Sequence, residues 1–116
     1  MLLGIDLGTT FSASASVGTS GIPVLTPDRR ISGSFHTPSV VHLGPKGALI
    51  GEPVERLLED DPGLPVARFT KASMGTDELF FSNPALPGLP AHGVSALILS
   101  KLRRDFVERN GTNQRR

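Results

Sequence analysis

Apolar residues occur along this chain in short groups separated by glycine, proline and hydroxyl-bearing residues. Leu2 to Leu7 is an apolar run, Phe11 to Val17 alternates larger and small side chains, and Ile22 to Leu25 follows Gly18-Thr19-Ser20-Gly21. Short segments of this kind, bounded by turn residues, predict three strands in an antiparallel meander. A second hairpin is predicted where Val40-Val41-His42-Leu43 and Ala48 to Ile50 flank Gly44-Pro45-Lys46-Gly47. Glu52 to Asp61 spaces Val54, Leu57 and Leu58 as one helical face, carries acids early and stops at Pro62-Gly63. Val66 to Phe69 suits either strand or helix, and Met74 to Pro90, broken by Gly75, Pro84, Pro87, Gly88 and Pro90, reads as an irregular connection. From about Gly93, Val94, Leu97, Ile98, Leu102 and Phe106 keep the spacing of an amphipathic helix that ends before Gly111. The pattern predicts an α/β fold of mixed α+β character, with an N-terminal antiparallel meander and a long C-terminal helix.

Composition narrows the chemistry. At 116 residues one compact domain is the upper limit, and with no Trp, no Tyr and six Phe its core must be built mostly from Leu, Val, Ile and Ala. The absence of cysteine excludes disulfides, thiol catalysis and thiolate metal sites. Leu2 to Ile5 is cut off at Asp6, and no run approaches the roughly 18 apolar residues of a membrane span, so a cytoplasmic protein with no membrane partner is expected. Net charge is +1; nine of the twelve basic residues are Arg, five of them between Arg103 and Arg116. Asp105 and Glu108 interrupt that cluster, which reads as a solvated helix face and not as a nucleic-acid surface.

The segment with most chemical content is Gly4-Ile5-Asp6-Leu7-Gly8-Thr9-Thr10-Phe11-Ser12. A hairpin turn holding Gly and two Thr can direct backbone N–H groups and hydroxyls toward phosphate oxygens. Gly8 would let the backbone approach a ligand closely, and Asp6 suits a magnesium ion directly or through its waters. The same residues also suit an ordinary turn flanked by strand-forming Thr, and residue types alone leave both readings open. His36, His42 and His92 have no metal-ligand spacing, and Ser12, Ser14 and Ser16 alternate with Ala without a Gly-x-Ser-x-Gly elbow. Metal-centre and serine-hydrolase chemistry are therefore not expected.

The string from Gly4 to Ser12 resembles the first phosphate motif of the actin-like ATPases, in the branch of the seventy-kilodalton heat-shock chaperones. Further landmarks of that branch are resembled in order by Thr37-Pro38-Ser39-Val40-Val41, Leu49-Ile50-Gly51-Glu52, Thr70-Lys71-Ala72-Ser73-Met74-Gly75 and the helix from Ser95 to Leu102. The resemblance implies a ribonuclease-H-like lobe over residues 1–36 and a shortened upper subdomain over 37–116, ending in the amphipathic helix and a basic tail. It implies binding of ATP or ADP with magnesium. Asp6 would face the metal through water, Gly8, Thr9 and Thr10 would hold the β- and γ-phosphates, and Phe11 would lie beside them where the family usually has Tyr. Lys71 would extend toward the γ-phosphate, where a cation offsets charge developing in phosphoryl transfer.

The segment between Gly75 and Ser95 is shorter than in the family. The second phosphate loop, the catalytic carboxylates and the substrate-binding domain have no counterpart in these residues. The resemblance thus implies a fragment of a larger nucleotide-binding domain, catalytically incomplete alone. Its parent would hydrolyse ATP and act on unfolded polypeptides with a J-type cochaperone and a nucleotide exchange factor. Because the family completes its first sheet with later sequence, an unpaired strand edge and dimerisation through it are expected. Two alternatives are a carbohydrate kinase of the same superfamily, since Asp-x-Gly-Thr-Thr-x-Ser suits both branches, and a stand-alone interaction module with a basic tail.

Overall fold

A computed structural model of the chain describes residues 2–31, 33–44, 47–68, 74–76, 78–81 and 88–110, with only the backbone described at 109 and 110. β1 (Leu2–Leu7) and β2 (Phe11–Val17) pair antiparallel from Leu2 opposite Val17 to Leu7 opposite Ser12. The other edge of β2 is shared by two short strands. β3 (Pro23–Leu25) pairs with Ala15 to Val17, while β4 (Thr37–Pro38) pairs with Phe11 and Ser12. The expected meander is therefore present, with β4 as an addition. Two residues, one of them a proline confined to a sheet edge, leave no periodicity by which β4 could be read.

A second sheet has the order β6-β5-β7, from β5 (Val40–Gly44), β6 (Gly47–Ile50) and β7 (Ala67–Arg68). The predicted second hairpin is β5–β6, and the ambiguous segment after Leu64 becomes a strand because Ala67 takes the place opposite Val41. Between them, α1 (Glu52–Asp60) starts at Gly51, whose φ of 85° lies in the left-handed region. A Cβ there would stand 2.9 Å from Thr37 Cγ2, so glycine is needed both for the dihedral and for the approach of α1 to β4. Glu52 and Glu55 in the first turn complement the positive end of the helix. The stretch read as irregular contains one small ladder, β8 (Leu79–Phe80) with β9 (Leu89–Pro90), and α2 (Ala91–Asn110) follows β9 directly.

The apolar core lies between the second sheet and α2, where Val41, Ile50, Ala67, Val94, Ile98 and Leu102 are buried and Leu7, Ala48, Phe80, Phe81, Leu89 and Leu97 pack around them. The first sheet packs on the same helix differently. Its register puts Leu3, Ile5 and Leu7 on one face with Ser16, Ser14 and Ser12, and all three serines are buried. Leu3 and Ile5 border a shallow groove with Leu99, Arg103, Phe106 and Val107 of α2. The result is a mixed α/β arrangement of antiparallel sheets with two helices.

Candidate phosphate-binding turn and the polar network behind it

The β1–β2 connection is the short turn Gly8-Thr9-Thr10, with Phe11 opening β2. Asp6, Thr9 and Thr10 are exposed, Gly8 is half-buried, and the Phe11 ring is 52% exposed, tilted against His36 with ring centroids 6.0 Å apart. The structure thus brings Asp6, Gly8, Thr9, Thr10 and Phe11 together on one hairpin. Lys71 lies outside the described residues, so its position relative to this turn is not among the geometry described.

Gly8 has a structural reason within the turn itself. A Cβ on Gly8 would stand 2.3 Å from the Phe11 carbonyl oxygen, so the tightness of the turn by itself demands glycine. The turn is also held from behind. Ser39, just after β4, donates its N–H to the Thr10 carbonyl at 2.9 Å and its hydroxyl to the Gly8 carbonyl at 2.7 Å. The single hydroxyl hydrogen of Ser39 is spent on Gly8, so in the 2.8 Å contact between Ser12 Oγ and Ser39 Oγ it is Ser12 that donates. Both serines are 1% exposed.

Behind β4 lies a second polar group. Lys101, on the buried side of α2, donates to Thr37 Oγ1 at 3.0 Å, to Asp28 Oδ2 at 2.9 Å and to Asp105 Oδ2, which uses all three ammonium hydrogens. Thr37 in turn donates to Asp28 Oδ2 at 2.6 Å. Two carboxylates therefore share one ammonium in a buried space, and they respond in opposite directions. Burial pushes the Asp28 carboxyl up, but the bonds from Thr37, Lys101 and the Arg30 N–H outweigh it and hold it below the usual carboxylate range. For Asp105 burial prevails over the Lys101 bond, and the nearby Asp28 charge adds to it, so this carboxyl is raised.

Residue patterns assign no role to Asp28 or Lys101 and give Ser12 and Ser39 no bond to each other, and they put Asp105 on a solvated helix face, whereas it is buried against Lys101. One signal was present: Lys101 and Asp105 stand four apart on the stripe of α2 that also carries Val94, Ile98 and Leu102, where a charged pair is out of place unless it is satisfied inside. Three other basic groups have acids beside them: Arg29 pairs with Glu108, Arg56 with Glu52 and Arg68 with Glu55. His42 Nδ1 lies 2.7 Å from the Pro65 carbonyl, a structural role in line with expectation. Among the described residues no cluster of three acidic, His or Cys side chains could hold a metal, and no helix is long and apolar enough to cross a membrane.

No family model matches the chain. It is 39% identical over 62 residues to the chaperone protein HscA of Buchnera aphidicola subsp. Schizaphis graminum, and 40% identical over 62 residues to a chaperone protein HscA homolog of Photobacterium profundum. Each match covers 53% of this chain and 10% of the relative's length. Over about half of its residues, then, the chain is similar to one segment of HscA, a chaperone of the seventy-kilodalton heat-shock family.

Proposed function

We propose that this chain is the phosphate-holding segment of a chaperone ATPase, with the β1–β2 turn as the part that grips ATP or ADP. The observation that carries this reading is the turn itself, which presents the exposed Thr9 and Thr10 on one side while the Gly8 and Thr10 carbonyls are drawn to Ser39 on the other. Drawing carbonyl oxygens away from a ligand and leaving hydroxyls and N–H groups toward it favours an anion. The similarity to two HscA proteins supports the chaperone branch over a carbohydrate kinase.

In this reading Gly8, Thr9 and Thr10 hold the β- and γ-phosphates, Asp6 holds the waters of a magnesium ion, and Phe11 shields the phosphates without the hydroxyl of a tyrosine. A bound magnesium ion supplies positive charge to the phosphate oxygens. Lys71 would add a second cation at the γ-phosphate. The whole protein would be a cytoplasmic ATPase acting on unfolded polypeptides with a J-type cochaperone and an exchange factor, and the 116-residue chain alone would bind nucleotide without turning it over. Among the described residues β1 pairs with β2 alone, which supports association through its outer edge; light scattering on a concentrated solution should detect a dimer, and a monomer throughout would refute it.

The reading is tested by titrating the chain with a fluorescent ATP analogue and magnesium. Hydrogen bonds to a charged group contribute about 1.5–3 kcal/mol, so Thr9→Ala and Thr10→Ala should each weaken binding by about tenfold or more. No binding up to millimolar nucleotide, or binding by both variants as tight as that of the wild type, would refute it.

A further inference from the structure

We infer that Ser39 is a positioning residue for the phosphate turn: its hydroxyl sets the orientation of the Gly8–Thr9 peptide so that the Thr9 N–H faces the bound anion. The inference rests on the phosphate reading of the turn and adds a residue outside it, 31 positions from Gly8 along the chain.

The argument begins with the peptide unit. No peptide bond among the described residues is cis, so the Gly8 carbonyl and the Thr9 N–H point in opposite directions across one rigid plane. The Ser39 hydroxyl holds that carbonyl at 2.7 Å on the β4 side, which turns the Thr9 N–H to the far side, where Thr9 itself is exposed. Ser39 N–H fixes the Thr10 carbonyl in the same way, so two peptide units of the turn are oriented by one residue. The bond to Gly8 requires the Ser39 hydrogen to be committed in that direction. Ser12 supports this by donating to Ser39 Oγ at 2.8 Å, which puts a hydrogen on the line between the two oxygens and leaves the Ser39 hydrogen to point at Gly8. Ser39 itself is placed by β4, whose Thr37 is anchored between Asp28 and Lys101. A free turn would sample either orientation of the Gly8–Thr9 plane; this one is set before a ligand arrives, which reduces the ordering cost of binding.

The test uses nitrogen-15 relaxation of the 116-residue chain together with the ATP-analogue titration. In the wild type the Thr9 N–H order parameter should stand near about 0.85, and in Ser39→Ala it should fall below about 0.6 while Val41 and Ile98 stay rigid. Ser39→Thr, which keeps the hydroxyl, should stay close to wild type. Ser12→Ala leaves the bond to Gly8 but loosens its direction, so its effect should be smaller than that of Ser39→Ala. Nucleotide affinity should follow the same order, with a loss of about tenfold in Ser39→Ala. An unchanged Thr9 in Ser39→Ala, an equal loss of order at Val41 and Ile98, or an effect of Ser12→Ala as large as that of Ser39→Ala overturns the assignment. Should Ser39→Ala not fold, Ser12→Ala decides alone: partial loss of order at Thr9 supports the role and none overturns it. If the wild type binds no nucleotide the phosphate reading fails, while the order parameters still decide whether Ser39 sets the turn.

Discussion

The two sheets pack against the same helix by different means. Against the second sheet, α2 presents Val94, Ile98 and Leu102 to Val41, Ile50 and Ala67, and the contact is wholly apolar. Against the first, Leu3, Ile5 and Leu7 of β1 supply apolar contact, but the buried positions of β2 are Ser12, Ser14 and Ser16, and Lys101 bonds from the helix to Asp28 and to Thr37 of β4. Apolar packing is additive and tolerant in direction, whereas each polar bond acts through a fixed partner and geometry. The half of the molecule that carries the β1–β2 turn is thus the half whose shape hangs on a few specific atoms. On the proposed reading the turn aims N–H groups at an anion; that needs directional bonds, and apolar burial cannot supply direction.

The strongest way to break this contrast is Lys101→Met, which keeps most of the side-chain volume and removes the ammonium. Asp28 and Asp105 are then left facing each other without a cation. Breaking a buried ion pair in this way typically costs about 3–5 kcal/mol, a large part of the stability of a domain of this size. Denaturant unfolding should register that loss at neutral pH and a partial recovery in mild acid, where the raised Asp105 takes up a proton. No recovery would mean that the lost stem contacts, and not the charge, set the cost.

Ile98→Ala probes the other side. Ile98 is fully buried at the centre of the apolar cluster, and truncation there should cost about 2–5 kcal/mol through lost transfer energy and the cavity left behind. Unlike Lys101→Met, this loss should be the same at neutral pH and in mild acid. Similar pH responses of the two variants would erase the distinction between the sheets.

Much of the apolar half is legible from sequence because it obeys periodicity. The spacing of Val94, Ile98 and Leu102 gives the helix, and Val40 to Leu43 with Ala48 to Ile50 gives the hairpin. The turn residues Gly8, Thr9 and Thr10 are legible because a tight connection between two strands needs such residues. What escapes is the set of bonds between distant positions: Ser39 to Gly8, and Lys101 to Asp28 and Thr37, the last spanning 64 positions. A hydroxyl or ammonium in the sequence does not carry the address of its partner, and β4, which delivers Ser39, is too short to have a pattern. For the same reason the sequence shows the glycine at position 8 but not the Phe11 carbonyl that a Cβ there would meet.

A smaller effect of opposite sign is expected at Ser14. Its Oγ is buried and has no hydrogen-bond partner among the described residues. An unmet buried hydroxyl costs about 1–3 kcal/mol, so Ser14→Ala should raise stability by roughly 1 kcal/mol, readable as a shift of the denaturant midpoint with an unchanged slope. Ser12→Ala, which deletes a hydroxyl that is bonded, should not stabilise. If both variants behaved alike, the buried serines would be acting only as small spacers and the polar half would lose its directional character.

The smallest expected effect is the pH response of the Asp28–Lys101–Asp105 group, because its two carboxyls oppose each other. Asp28 is lowered, so its contribution is present above the unfolded value of about 3.9 and is lost as the pH falls through its lower folded value. Asp105 is raised, so its contribution is present below about 3.9 and is lost as the pH rises through its higher folded value. Descending from neutral pH, the folded chain takes up the Asp105 proton before the unfolded chain does, and stability rises. Further down the unfolded chain protonates Asp28 first, and stability falls. The group therefore contributes a shallow maximum near about pH 4. Subtracting the curve of Asp105→Asn from that of the wild type isolates the rising limb: the difference should diminish from acid to neutral pH. A difference that grew toward neutral pH would mean that Lys101 favours the Asp105 charge more than burial opposes it, and the ammonium would then be shared evenly between its two acids.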